Sequence, residues 1–93
     1  MALEMYQMSL EIMLRLGDQY GAASIYSDLG RVHLRFGSYD QAIQMHRKAL
    51  EIMKQVGDES GVARQYSSLG DVYQERGDVK QALACYYEAL KIM

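Results

Sequence analysis

The sequence is poor in residues that break helices or cross-link chains: it has no proline and one cysteine, Cys85. The lack of proline, together with 49% hydrophobic and 24% charged residues, is typical of a helical soluble protein. A single cysteine excludes an internal disulfide and favours a reducing compartment, so we expect a cytoplasmic protein. No apolar run approaches the roughly 18 residues of a membrane span, and no signal-peptide pattern opens the chain. We therefore expect no membrane partner.

An excess of charge of one sign is also missing, because ten basic and twelve acidic residues leave a formal net charge of −2. Nucleic-acid binding needs a basic face, so we expect no nucleic-acid partner. The sequence has no Gly-Lys-Ser/Thr phosphate loop and no glycine triplet after a strand, and its acidic residues do not form facing pairs. We expect no enzyme, and hence no catalytic residue, cofactor or metal ion.

An internal repeat with a period of 40 residues is the main feature that the sequence does have. Shifted by this period, Leu10–Met13 aligns with Leu50–Met53, and Leu29-Gly30 aligns with Leu69-Gly70. Matches of this kind extend over the whole overlap, which indicates a stack of similar structural units. The chain divides into a half repeat, repeat one and a slightly truncated repeat two, which span residues 1–16, 17–56 and 57–93.

Each repeat reads as two helices with short loops. In the second helix, apolar residues recur at three- and four-residue steps from Ala42 to Met53, which is one face of an α-helix. Glycines end the helices, and Ser38 and Asp78 are predicted to cap the helices that follow them. The predicted helices lie near residues 2–16, 19–36, 39–55, 59–76 and 79–93.

Gly30 and Gly70 occupy the same place inside the first helix of each repeat. A glycine in a helix interior costs about 1 kcal/mol relative to alanine, so its recurrence indicates a packing reason. Without a side chain, a neighbouring helix can come close. We expect Ala42 and Ala82 to lie against these glycines.

The order of the side chains that recur in the two repeats resembles the tetratricopeptide repeat. Repeat two reads Tyr-x2-Leu-Gly-x2-Tyr over residues 66–73 and Ala-x3-Tyr-x2-Ala over residues 82–89. The period exceeds the usual 34 residues, and in this the chain is similar to LGN-type adaptors and kinesin light chains. The asparagines that commonly flank the Leu-Gly pair in LGN-type arrays are replaced by Asp28, Arg31, Ser68 and Asp71.

The resemblance implies an all-α, right-handed solenoid of antiparallel helix pairs, with about two and a half repeats and five helices. It also implies a concave face, lined by the first helix of each repeat, that binds a peptide or helix of a partner protein. The alternative is a structural or self-associating segment whose concave face is only solvated. The predicted groove residues are Ser24, Ser27, Arg31, Leu34, Arg35, Arg64, Ser67, Asp71, Gln74 and Glu75.

His33 and His46 stand where repeat two has tyrosines. They could form a metal-binding pair, but zinc sites usually have three or four ligands, and no third ligand is evident. We therefore interpret them as partly buried core residues. Cys85 lies on a packing stripe, which favours a buried, unreactive thiol over a reactive one.

The first helix is more apolar than its later copies. Met8 stands where they have Lys48 and Glu88, and Leu14 stands where Lys54 is. Since exposed apolar surface usually marks an interface, we predict that the chain is a homo-oligomer with Met8 and Leu14 in the contact. The expected forms are a two-fold dimer, an exchanged-helix dimer or an end-to-end stack; a two-fold pairing of first helices is the simplest closed form, and end-to-end growth is the runner-up. The alternative is that flanking repeats of a longer parent cover these faces. If the last helix makes the contact instead, the residues to change are Cys85, Tyr87 and Met93.

Overall fold

Five α-helices make up the computed structural model, which describes residues 2–92 and, for Ala2, only the backbone. They are α1 (Ala2–Leu16), α2 (Gln19–Arg35), α3 (Tyr39–Val56), α4 (Glu59–Arg76) and α5 (Val79–Ile92). Each helix packs on the next one in the chain, and residues 2–92 contain no strand. The predicted all-α solenoid of five antiparallel helices is confirmed. Predicted helix ends within these residues are met to within one residue, and Met93 lies outside the described residues.

The turns between repeats combine a left-handed glycine with an aspartate cap. At Gly57 the backbone φ is 76°, a conformation that a residue with a Cβ adopts at a cost. The carboxylate of the next residue, Asp58, accepts a hydrogen bond from the amide of Gly61 at 3.0 Å and so begins α4. Asp18 makes the corresponding bond, of 2.8 Å, at the start of α2. Two residues are therefore enough to end one helix and start the next.

The caps predicted within the repeats differ from each other. Asp78 accepts a bond from the amide of Gln81 at 3.3 Å, but the side chain of Ser38 makes no cap bond, so that part of the prediction is wrong. A serine hydroxyl oxygen is one bond closer to the backbone than a carboxylate oxygen. With ψ of 71° at Ser38, against 92° at Asp58, this shorter arm does not reach the helix amides.

The core lies among α2, α3, α4 and the inner face of α5, and many of its side chains are small. Its alanines allow the helix backbones to lie close together, while larger residues fill the centre. In α1, by contrast, none of the described side chains is buried. The larger hydrophobic residues of the core are Leu29, Ile43, Leu50, Met53, Val62, Leu69, Val72 and Tyr73.

Gly30 and Gly70 are buried because an aromatic ring from the following helix lies directly on each of them. A Cβ built at Gly30 would come 2.5 Å from Nε2 of His46, and one at Gly70 would come 2.6 Å from Cε1 of Tyr86. Real Cβ atoms do not approach other atoms so closely, so only glycine fits at these two positions without a shift. We call these pairs, His46 on Gly30 and Tyr86 on Gly70, the ring–glycine contacts.

The alanines predicted to face these glycines, Ala42 and Ala82, are buried one helical turn before the rings. The close contact was predicted correctly, and the nearest atoms at each glycine belong to the ring rather than to the alanine. Each alanine and the ring four residues later share one helix face. The spacing alone therefore does not indicate which of the two reaches the glycine.

Replacing Gly70 by alanine tests the ring–glycine contact. Helix propensity alone would stabilise the protein by about 1 kcal/mol, whereas overlap with the Tyr86 ring costs about 1–3 kcal/mol. We expect a net loss of stability of up to about 2 kcal/mol, measured by urea unfolding. In a Tyr86→Ala background the same substitution should stabilise, because the ring is gone. A stabilising Gly70→Ala in the otherwise unchanged chain would show that the contact does not exist.

Candidate functional site

A polar cleft of about 260 Å³ lies between α2 and α4, the first helices of the two repeats. Buried Ala23 and Met53 form its inner wall. Three of its lining residues are serines, whose short side chains leave the space between the helices open. The polar lining residues are Tyr20, Ser24, Ser27, Asp28, Arg31, Asp58, Arg64, Gln65 and Ser68.

Four of the ten groove residues predicted from the sequence line this cleft. They are Ser24, Ser27, Arg31 and Arg64. Arg31 also borders a second cavity of about 390 Å³, which lies between α1 and α2. Two more predicted residues, Leu34 and Arg35, line this second cavity with Tyr6.

The remaining four predicted residues line neither cavity. Ser67 is half-buried, and Glu75 is exposed on α4. Asp71 and Gln74 are bound by α5: the hydroxyl of Tyr86 lies 2.5 Å from Oδ1 of Asp71 and 3.0 Å from Oε1 of Gln74. The Asp71 carboxylate accepts this hydrogen bond and is the main reason that the pKa of Tyr86 is raised to about 12.

Besides Ala23 and Met53, which form the inner wall, five polar cleft residues were missing from the prediction: Tyr20, Asp28, Asp58, Gln65 and Ser68. Asp28 and Ser68 stand directly before the Leu-Gly pair of each repeat, and this repeated position is a signal that could have found them. Tyr20 and Asp58 lie at helix starts and come together only because the two repeats stack. No periodicity within one helix indicates such a meeting.

Charges of both signs occupy the cleft. The guanidinium of Arg31 pairs with the carboxylate of Asp28 on the same helix. On the opposite wall Arg64 is exposed, and no ion pair within residues 2–92 includes it. Loss of water at the wall and the nearby Asp58 carboxylate both raise the pKa of Tyr20. In the cleft, therefore, the guanidinium of Arg31 is already in an ion pair, and that of Arg64 is available to a ligand.

A buried chain of hydrogen bonds joins three helices beneath the cleft. Nδ1 of His46, on α3, lies 3.0 Å from Oε1 of Gln65 on α4. Since an amide oxygen only accepts, Nδ1 is the protonated nitrogen of the neutral ring. The amide nitrogen of Gln65 then donates to the hydroxyl of Ser27, on α2, at 3.4 Å. These bonds hold the two repeats in one orientation and thereby set the shape of the cleft.

The structure places the other candidate residues in the packing. His46 is only 1% exposed, which confirms the core interpretation, and His33 is half-buried on α2. Cys85 is half-buried against the core, and burial raises the pKa of its thiol, as expected for a weakly reactive cysteine. Within residues 2–92, no group of three or more His, Cys, Asp or Glu side chains is arranged to hold a metal ion.

Comparison with known proteins agrees with this architecture. The family model described as tetratricopeptide repeat matches residues 1–55 and 39–93. The chain belongs to the tetratricopeptide repeat family. Tetratricopeptide repeats generally act as non-catalytic protein-interaction modules. None of the helices in the described part of this repeat protein is long and apolar enough to span a bilayer.

Solved structures show the same arrangement of helices. The crystal structure of BtubC (BKLC) from P. vanneervenii is 31% identical, with a TM-score of 0.84 over 94% of this chain and 37% of that one. The tetratricopeptide repeat domain of Arabidopsis FLU is 30% identical, with a TM-score of 0.84 over 92% of this chain and 72% of that one. The present chain thus spans little more than a third of BtubC. No curated protein matches it.

The buried His46 predicts a pH-dependent stability. Burial lowers its pKa below the ordinary 6.5, with a smaller contribution from the Arg31 charge, while Gln65 and Asp71 act in the opposite direction. In the unfolded chain the imidazole titrates near pH 6.5, so below that pH the unfolded state binds more protons than the folded state. Stability is therefore fully present above this pH and is lost as the pH falls through it.

We expect the melting temperature, followed by circular dichroism, to decline between about pH 7 and pH 5. His46→Tyr introduces the ring that repeat two carries at this place, and it should flatten the decline in that window. Parallel pH curves for the two proteins would show that His46 is not the group responsible.

Proposed function

We propose that this protein is a non-catalytic interaction scaffold that binds a peptide segment of a partner protein in the cleft between α2 and α4. The observation that carries the proposal is the cleft itself, whose walls are hydroxyl, amide and charged side chains. One turn of a helix, about 5.4 Å long and about 10–12 Å across with its side chains, occupies roughly 400–600 Å³, which exceeds the cleft volume of about 260 Å³. An extended peptide is therefore the better fit.

The cleft supplies the hydrogen bonds that an extended peptide needs. A peptide backbone has unpaired N–H and C=O groups along its length, and the hydroxyls of Ser24 and Ser68 can pair with either. The available guanidinium of Arg64 suits a carboxylate on the peptide. Arg31, already held by Asp28, is positioned at the boundary with the second cavity.

The second cavity extends the proposed surface towards α1. There Leu34, half-buried, is the apolar anchor, and Arg35 is exposed beside it. Towards the other end, the proposed surface runs along α4 over the remaining predicted residues, where Tyr86 already occupies part of the polar edge. These residues are Ser67, Asp71, Gln74 and Glu75.

We propose that the partner is a protein rather than a nucleic acid or a membrane. We also propose that the protein acts without catalysis, a cofactor or a metal ion. The proposal also includes a reducing cytoplasmic location, since the one cysteine is half-buried and has no partner for an internal disulfide. The long period further suggests a place near the LGN-type and kinesin light chain arrays.

Self-association is a second candidate function, favoured by the exposed apolar surface of α1. Met8 is 64% exposed and Leu14 is 55% exposed. They are six residues apart, which places them about 120° apart around the helix. Leu14 borders a cavity with Ala22 and Ile52, so the two residues belong to different surfaces and only one of them needs to take part.

Alanine substitution at Arg31 and Arg64 tests peptide binding in the cleft. Peptides selected from a random displayed library on the unchanged protein would be titrated by fluorescence polarisation. We expect the double variant to bind at least about tenfold more weakly, since charge-assisted hydrogen bonds contribute about 1.5–3 kcal/mol each. Its melting temperature should change little, because both side chains are exposed.

Lys80→Ala is the matched control, because it removes an exposed positive charge from α5, outside the cleft. It should leave the titration unchanged. A loss of stability with unaltered peptide binding in the double variant would instead assign these arginines to the fold. Failure to select any peptide would contradict the proposed function.

A further inference from the structure

A stripe of four exposed apolar side chains runs along the outer side of α1. Met5, Met8, Ile12 and Leu16 are 69%, 64%, 52% and 75% exposed. Their spacing of three, four and four residues places them within about 80° of each other around the helix. We refer to these four residues as the α1 stripe. It leaves out Leu14, which projects from another side of the helix.

The equivalent side of α3 is not free. Met45, Ile52 and Val56, which occupy the places of Met5, Ile12 and Leu16, are half-buried. Ile52 borders a cavity with residues of α1 and α2. In α3, which is the second helix of repeat one, this side therefore faces the helices that precede it in the chain. The residue equivalent to Met8 is Lys48, whose ammonium lies 5.4 Å from the ring centre of Tyr26 on α2. On α1, the apolar residue Met8 therefore stands where α3 has the charged residue Lys48.

We propose that the α1 stripe is covered by the α1 stripe of a second copy, in an antiparallel pair with two-fold symmetry. In such a pair Met8 of one copy faces Ile12 of the other. Met5, at one end of the stripe, lies beside Leu16, at the opposite end of the stripe in the second copy. The spacing of three and four residues is the pattern with which paired helices interlock. This inference rests on the second candidate function and gives it a surface and a register.

Charge supports this pairing. Glu4 and Arg15 lie in the first and last turns of α1 and are about 20° apart around the helix, on the same flank of the stripe. In an antiparallel two-fold pair the same flank of both helices meets, and the register that joins Met8 to Ile12 brings Glu4 beside Arg15 of the other copy. Two opposite-charge pairs form by symmetry. The two Glu11 side chains meet near the axis and repel each other.

The same reasoning disfavours α5 as the contact. Val79, Leu83, Tyr87 and Leu90 form an exposed stripe there too. Its flank carries Lys80 and Lys91, also about 20° apart around the helix. An antiparallel pair of α5 helices would bring Lys80 beside Lys91 of the second copy, and like charges there oppose association. Lys91 is already paired with Glu88 on its own helix, which weakens this repulsion but provides no opposite-charge pair between the two copies. Among residues 2–92, the flank of the α1 stripe offers such a pair and the flank of the α5 stripe does not.

Sedimentation equilibrium over a concentration series tests the proposal on the whole chain. We expect a monomer–dimer equilibrium, and we expect Met8→Lys to shift it to monomer. Gln7→Lys is the matched control, because it adds the same charge at the neighbouring exposed position on another side of the helix. It should not break the dimer, because the introduced lysine would face away from the stripe and its charge, four residues before Glu11, could only reduce the repulsion at the axis. Glu11→Gln, which removes the repulsion at the axis, should tighten the dimer.

Charge reversal tests the register. Glu4→Arg and Arg15→Glu should each weaken the dimer about tenfold, and together they should restore it to within about threefold of the original. Both reversals oppose the helix dipole, so a purely structural effect makes the double variant the worst of the three. Circular dichroism of each variant shows whether α1 is still helical.

Three results would overturn the proposal. They are a monomer at every concentration, equal dimerisation of Met8→Lys and Gln7→Lys, and open-ended growth that would indicate α1 packing on α5. A double reversal weaker than either single one would overturn the register. None of the substituted residues lines the α2–α4 cleft. Peptide binding by Met8→Lys should therefore equal that of the unchanged protein, and failure of the dimer would not be failure of the cleft.

Discussion

The ring–glycine contacts determine how closely the two helices of each repeat approach, and the other features of the molecule depend on that distance. His46 lies on Gly30 and Tyr86 lies on Gly70, in each case with no room for a Cβ. The neighbouring alanines, Ala42 and Ala82, are buried one helical turn before the rings. The distance within a repeat then sets where the next repeat begins, and hence the separation of α2 and α4 that forms the cleft.

The same contact carries different chemistry in the two repeats. The imidazole of His46 is short and turns inward, where Gln65 links it to Ser27 across the repeat boundary. The longer phenol of Tyr86 extends past its glycine to the polar edge of α4, where Asp71 accepts a hydrogen bond from its hydroxyl. In repeat one the ring therefore links the two repeats, whereas in repeat two it links α5 to α4 of the same repeat. The same position in the repeat thus stabilises the junction between the repeats at His46 and changes the polar surface of α4 at Tyr86.

Repetition made the helices predictable, because Gly-Asp pairs recur at a fixed period and each of them ends one helix and caps the next. The sequence did not indicate that Ser38 would fail as a cap, since reach depends on backbone angles. It pointed to Arg31 and Arg64 because residues off the core stripe face outward. It missed Tyr20 and Asp58 because they meet only across two stacked repeats. The peptide that the cleft binds lies beyond what periodicity can indicate.

The lack of buried side chains among residues 3–16 of α1 also has a consequence for the motion of the array. In a stack where each unit contacts only its neighbours, stability varies along the chain, and segments with little burial open first. Amides of α1 should therefore exchange with solvent deuterium while those of α3 and α4 remain protected. The helix that is most exposed is then also the one that can unwind alone, so this end of the array can change its contacts without disturbing the cleft.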